Sequence, residues 1–197
     1  MKRVLSIDFD YFLDTDIHTR NYKFPDGVEK SKPLNLSSWY YAHQKFPEIT
    51  NIGVIEEYHN VYMFLSKLKS GKVLIADSHK DIAKIFNHIP VYENLEVVHI
   101  DFHHDCYISS GDKIDCANWV RHLKSQKPDT NIIWYRREDS EIESLEGEYP
   151  YPHSTDLVLE GEFDYIFLCF SPEWTPPHLD YYFDNLCYCL KNLDKLS

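Results

Sequence analysis

No apolar run in this chain approaches the roughly 20 residues that a membrane-spanning helix requires, so neither such a helix nor a membrane partner is expected. Export features are lacking too. The apolar stretch after Met1-Lys2-Arg3 is short and soon meets Asp8 and Asp10, unlike a signal peptide. Basic residues are scarce: 20 Lys and Arg stand against 32 Asp and Glu, for a formal net charge of −12. That balance excludes a nucleic-acid binder, which needs a basic face to displace counterions from phosphates. It suits a cationic partner or bound metal ions. No cysteine pair has C-x-x-C spacing, and the five cysteines are odd in number, with only Cys187 and Cys189 close together. The expectation is free thiols in a reducing cytoplasm. Core material, by contrast, is ample. Of 197 residues, 43% are hydrophobic and 15% aromatic, enough for one packed domain over residues 1–197.

Five short apolar runs recur along the chain: Val4 to Ile7, Val73 to Ala76, Val97 to Ile100, Ile132 to Tyr135 and Tyr165 to Phe170. Continuous runs of this length suit strands covered on both faces, so the fold class expected is three-layer α/β with a mainly parallel sheet. Helical patterns fall between them. Ile52, Ile55, Val61, Leu65 and Leu68 have helical spacing, with Gly71 where such a helix would stop. Further helices are expected over 81–88, 117–124 and 178–193. Residues 14–50 break the rhythm and read as a long insertion or lid, with Pro25-Asp26-Gly27 as a turn. Within it, Trp39, Tyr40 and Tyr41 would cover an extended ligand or anchor the segment. Residues 138–153 are acidic and read as a solvated hairpin or loop.

Three of the strand ends carry ligand-type residues. Val97-Val98-His99-Ile100 runs straight into Asp101-Phe102-His103-His104-Asp105. In extended backbone, residues two apart point the same way, so Asp101, His103 and Asp105 would converge beyond a strand's carboxyl end, where open α/β sheets build their sites. Crowded carboxylates and imidazole need a cation to offset repulsion and desolvation. Ser6-Ile7-Asp8-Phe9-Asp10 repeats the device with Asp8 and Asp10. Asp77-Ser78-His79-Lys80-Asp81 repeats it at a strand-to-helix turn, where His79 is the candidate ligand and Asp77 and Asp81 suit capping. Four carboxylates and two imidazoles (Asp8, Asp10, Asp101, Asp105, His79 and His103) exceed a tetrahedral zinc site. They suit two neighbouring divalent ions with bridging carboxylates, and oxygen-rich ligation favours manganese or iron.

These three motifs together resemble the ureohydrolase superfamily of arginases and agmatinases. Asn118-Trp119, Ile133-Trp134 and Ser171-Pro172-Glu173-Trp174-Thr175-Pro176 bring the resemblance closest to the small peptide arginases, which convert arginine side chains of ribosomally made peptides to ornithine and release urea. The resemblance implies an arginase-like fold, two Mn2+ ions with Fe2+ or another divalent metal as the alternative, and an arginine-containing precursor peptide as substrate. It implies a proton-accepting role for Asp105 and a guanidinium-holding role for Glu173, with Glu56 and Glu57 as fallbacks. Trp119 would stand beside the substrate. Asn118 falls where arginases carry a proton-shuttling histidine, which leaves His104, His122 and His153 as unassigned candidates. The Asp-x-Asp segment comes before the Asp-x-His-x-Asp segment here, the reverse of ordinary arginases, so the chain resembles a circular permutation. Motifs that hold a free amino acid's carboxylate are not evident.

Three rival readings use the same residues. A haloacid-dehalogenase-like phosphatase would use Asp8 as nucleophile and Asp10 as general acid, but Tyr11 replaces the usual Gly-Thr turn and the Asp101 motif has no role. A single-metal amide deacetylase would need zinc and fewer ligands. A non-catalytic scaffold would bind a peptide and keep metal for stability alone.

Overall fold

The structure is a computed structural model and describes residues 1–25, 32–108, 113–144 and 147–196. The chain opens with β1 (Lys2–Asp8), a 3-10 turn (Phe9–Phe12), α1 (Ile17–Lys23), α2 (Lys32–Lys45) and a second 3-10 turn (Pro47–Asn51). There follow α3 (Glu57–Leu65), β2 (Lys72–Ala76), a 3-10 turn (His79–Ile82) running into α4 (Ala83–Asn87), β3 (Leu95–Ile100), α5 (Trp119–Gln126) and β4 (Asn131–Tyr135). The last third holds β5 (Glu143–Ser144), β6 (Gly147–Glu148), β7 (His153–Ser154), β8 (Tyr165–Cys169), a 3-10 turn (Pro177–Leu179), α6 (Asp180–Cys189) and β9 (Asp194–Lys195).

Seven strands form one sheet in the order β7-β4-β3-β1-β8-β2-β9, and every pairing in it is parallel. All five apolar runs are strands of this sheet. The two-residue edge strands β7 and β9 carry no apolar pattern; they are found only through their pairing with β4 and β2. Side chains alternate between two cores. Leu5 and Ile7 of β1 face a core shared with Trp39, Tyr58, Val61 and Leu186. Val4 and Val97 face the other, with Ile85, Phe86, Trp119 and Val120. Helices therefore cover both faces in three layers, the arrangement an all-parallel sheet requires.

Two local expectations are corrected. Gly71 does not stop a helix, because α3 ends at Leu65. It enters β2 at φ +123, where a Cβ would lie 2.8 Å from the Phe163 carbonyl oxygen, so the position demands glycine for a close backbone approach. Residues 14–50 are not one long loop. Asp16 caps α1 by accepting from the Thr19 N–H at 2.7 Å. On α2, Trp39 is the anchor: it is 1% exposed and donates to the Pro172 carbonyl at 2.7 Å, while Tyr40 and Tyr41 stay exposed. Asp26 and Gly27 of the expected turn lie outside the described residues. The acidic stretch contains the antiparallel hairpin β5–β6.

Candidate metal centre

β1, β8 and β2 lie side by side with β3 on the other flank of β1, so the chain segments leaving their carboxyl ends meet over the middle of the sheet. Each leaves its strand in a different way. At Asp8 the chain turns at once into a 3-10 helix, which Asp8 caps by accepting from the Asp10 N–H at 3.4 Å. Asp8 thus faces the cavity, while Asp10 lies beneath it, fully buried. Strand alternation does not set this pair. It does not set Asp105 either. Four residues of continued strand would carry Asp105 roughly 13 Å beyond Asp101. Instead β3 stops at Ile100, Asp101 accepts from the His103 N–H at 2.8 Å, and Asp105 adopts a left-handed φ of 49, which folds its carboxylate back.

The result is a focus on His79. Its Nδ1 lies 3.1 Å from Asp8 Oδ2, 3.0 Å from Asp101 Oδ2 and 3.1 Å from Asp105 Oδ2, while its Nε2 is 2.8 Å from Ser6 Oγ. One ring N–H can satisfy one of three carboxylate oxygens; a cation among them satisfies all. A second group adjoins the first. His103 Nδ1 lies 3.2 Å from Asp10 Oδ2 and 3.7 Å from Asp101 Oδ1. Asp101 therefore presents one oxygen to each group, the posture of a bridging carboxylate. The six expected residues meet at one place, and the oxygen- and imidazole-rich donors among them fit a divalent metal.

Burial, then Asp8 and Asp10, pushes the Asp101 carboxyl well above the usual carboxylate value; burial and then Asp101 do the same to Asp105. Burial would raise Asp10 as well, but His103 and Arg20 overcome it and lower the value. Burial opposes protonation of His79, and Asp105 and Asp8 outweigh it, so its value rises.

Supporting contacts hold the acids. Ser171, itself at a left-handed φ of 47, donates to Asp8 Oδ2 at 2.6 Å. Arg20, from α1, is 1% exposed, stacks on Phe102 at 3.9 Å, donates to the Asp10 carbonyl at 2.7 Å and lies 3.5 Å from its Oδ2. Burial lowers the Arg20 value to about 10 against the pull of Asp10. Cys169 lies among Asp8, His79 and Ser171, and burial and Asp8 keep its thiol protonated.

A cavity of about 240 Å³ opens over the centre, lined by Asp8, His79, His103, Asp105, Ser171 and Glu173, with Phe102 and Trp174 as its apolar wall. Glu173 is 2% exposed, so it is no ordinary loop acid. Neither Trp119 nor Asn118 is among the described residues lining the cavity. Trp119 is fully buried and donates to Asp105 Oδ2 at 2.5 Å, so it positions an acid. Asn118 bonds to the Asp115 N–H and the Lys113 carbonyl, holding its own loop. Neither Glu56 nor Glu57 is among the described residues lining the cavity, and the same holds for His104, His122 and His153. His99, Arg20 and Ser171 had no assigned role in the sequence. The signal for His99 is legible in retrospect: it interrupts an apolar run. Arg20 has no such signal.

His104 offers a separate test. Its ring stacks on Tyr107 at 3.9 Å, its Nδ1 accepts from the Cys106 N–H at 3.0 Å, and burial lowers its value to about 4. Folded His104 stays neutral where an unfolded histidine, near 6.5, takes up a proton. Stability contributed by this group is therefore present above pH 6.5 and is lost as pH falls towards 4, at about 1 kcal/mol per pH unit after screening. Melts of metal-free protein should fall more steeply over that window for wild type than for His104→Gln. Equal slopes would discard the assignment.

Compared with protein-family models, with curated proteins and with solved structures, the chain matches none. The class it belongs to by direct observation is a three-layer α/β domain with an acid- and histidine-lined cavity at the carboxyl edge of its sheet.

Proposed function

We propose that this chain is a binuclear-metal hydrolase of the arginase-like kind, which converts peptide arginine side chains to ornithine and releases urea. The observation that carries the reading is Asp101, whose two oxygens serve two separate ligand groups beneath a cavity that also holds a buried glutamate. His79, Asp8, Asp101 and Asp105 would hold one ion; His103, Asp10 and Asp101 the other. Two such ions, Mn2+ by the oxygen-rich donor set, would supply a water acidic enough to act as nucleophile near neutral pH. A guanidinium resists attack by neutral water, and Glu173 would hold one by forked hydrogen bonds. Asp105, held by the Trp119 N–H, would accept the proton released as water attacks the guanidinium carbon and return it to the leaving amine. The bond broken joins that carbon to the side-chain nitrogen that remains on ornithine.

Two features favour a peptide over free arginine. None of the described residues lining the cavity is Lys or Arg, so no side-chain cation stands ready for a free carboxylate. The net charge of −12 favours encounter with arginine-containing peptides, at a rate that salt reduces. A cytoplasmic setting is part of the same reading, supported by five free thiols. No helix among the described residues is long and apolar enough to cross a membrane.

The closeness of the Asp8, His79 and Cys169 donor atoms keeps a single-zinc deacetylase in view as a second reading. The phosphatase reading fares worse, because Asp10 is buried beside Arg20 and His103 instead of facing the cavity. The deciding experiment incubates manganese-loaded protein with arginine-containing peptides and, separately, free arginine. Loss of one CN2H2 unit per arginine with urea release is expected for peptides. Acetate release with one zinc per chain would establish the deacetylase instead, and two bound ions without turnover would leave only a scaffold.

A further inference from the structure

We propose that His99 is a seventh ligand side chain, closing the shell of the ion held by His79, Asp101 and Asp105 from below. The inference rests on the two-ion reading above and extends it.

His99 is the fifth residue of β3, between Ser6 of β1 and Trp134 of β4 in register. Two residues before Asp101, it shares the face from which that carboxylate rises. Its side chain is fully buried, and neither ring nitrogen makes a well-formed hydrogen bond among the described residues, the His103 backbone being close enough only to act weakly on the ring. A buried polar group left without a partner is costly, and native structures keep few of them. His99 Nε2 points at the centre: it lies 3.7 Å from Asp101 Oδ2 and 4.0 Å from Asp105 Oδ2. Those separations are too long for hydrogen bonds. They fall within the span of a shared site, since the donor atoms of His79, His99 and Asp101 all lie within 4.8 Å of one another. The ring is steered there by Trp119, edge-on at 4.9 Å, and by His79 at 5.3 Å. Trp119 thus contacts two groups at once, Asp105 through its N–H and His99 through ring packing.

Two ions held in this way would have unlike donor sets, with the imidazoles of His79 and His99 at the first (inner) position and that of His103 alone at the second (outer) one. Imidazole-rich ligation favours later divalent metals, so the inner position would discriminate more strongly among Mn2+, Fe2+ and Co2+ than the outer.

The test compares wild type with His99→Phe, which keeps the ring and removes the donor, by titration calorimetry with Mn2+ and Co2+ and by pulsed electron paramagnetic resonance of the Mn2+ form. Wild type should bind two ions, with nitrogen couplings from three imidazoles in all. His99→Phe should keep the outer ion, lose affinity for the inner one by at least about tenfold, and lose one imidazole coupling. Its metal-free melting temperature should equal or exceed that of wild type, since the orphaned polar group is gone. If the Phe variant does not fold, His99→Gln serves, with the same loss of one coupling. Two ions bound with wild-type affinity and unchanged couplings in the variant would overturn the role of His99 alone. Wild type that binds no ions would overturn the two-ion reading and this inference with it.

Discussion

Asp101→Asn is expected to strip both ions from the protein and lower turnover of an arginine peptide by roughly a thousandfold or more. The reason is the shared position of the side chain. Its Oδ2 faces His79 and Asp105 and its Oδ1 faces His103, so among the described residues it is the carboxylate that serves both groups directly. The same substitution should not unfold the chain. Metal-free, Asp101 is a carboxyl desolvated among Asp8 and Asp10, and an isosteric amide removes that conflict. The metal-free melting temperature should therefore hold or rise. In wild type, metal at a hundredfold excess over its dissociation constant adds about 2.7 kcal/mol per site, a shift of roughly 5–10 °C for a domain of this size. In Asp101→Asn that shift should vanish. Elemental analysis and melts with and without Mn2+ decide the matter, and two ions retained in the variant would refute the bridging assignment.

Glu173→Gln should show the opposite pattern: both ions retained, the metal-induced stabilisation intact, and kcat/KM for an arginine peptide lowered roughly hundredfold. A buried glutamate that pairs with a guanidinium contributes about 3 kcal/mol through forked, charge-assisted bonds, and the amide offers one acceptor and no charge. Glu173 lines the cavity beside Trp174, whose ring lies 4.8 Å from His103, so it stands next to the ligands without belonging to the group around His79. Steady-state kinetics with an arginine peptide and a lysine control peptide would separate this role from general disruption. Unchanged kinetics would remove Glu173 from the substrate site.

Much of the fold was legible because buried parallel strands write a plain signature. Val4 to Ile7, Val97 to Ile100 and Tyr165 to Phe170 have core on both faces, so they carry apolar residues at successive positions. Edge strands β7 and β9 are two residues long and have no such obligation. The helices of residues 14–50 were hidden for a related reason. α1 is only seven residues long, and on α2 the described side chains show no clean apolar stripe, with Trp39 buried beside the exposed Tyr40 and Tyr41. Residue type and spacing mark the six candidate ligands, but alternation along a strand does not account for Asp8 with Asp10 or for Asp101 with Asp105; a 3-10 turn and a left-handed residue bring them to their places.

Alone, the sequence determined the local chemistry: a strongly acidic composition and apolar runs tipped with carboxylates and imidazoles. Those are local properties, and residue type and order suffice to state them. Only the tertiary structure decided which oxygen faces which imidazole, that Asp101 looks two ways, that Trp119 and Asn118 are not among the described residues lining the cavity, and that His99 and Arg20 pack beside the clustered acids. Such facts depend on strand order, since β1 joins β3 to β8 across more than 60 residues of intervening chain. Contacts between segments so distant leave no mark on the spacing of residues within either one.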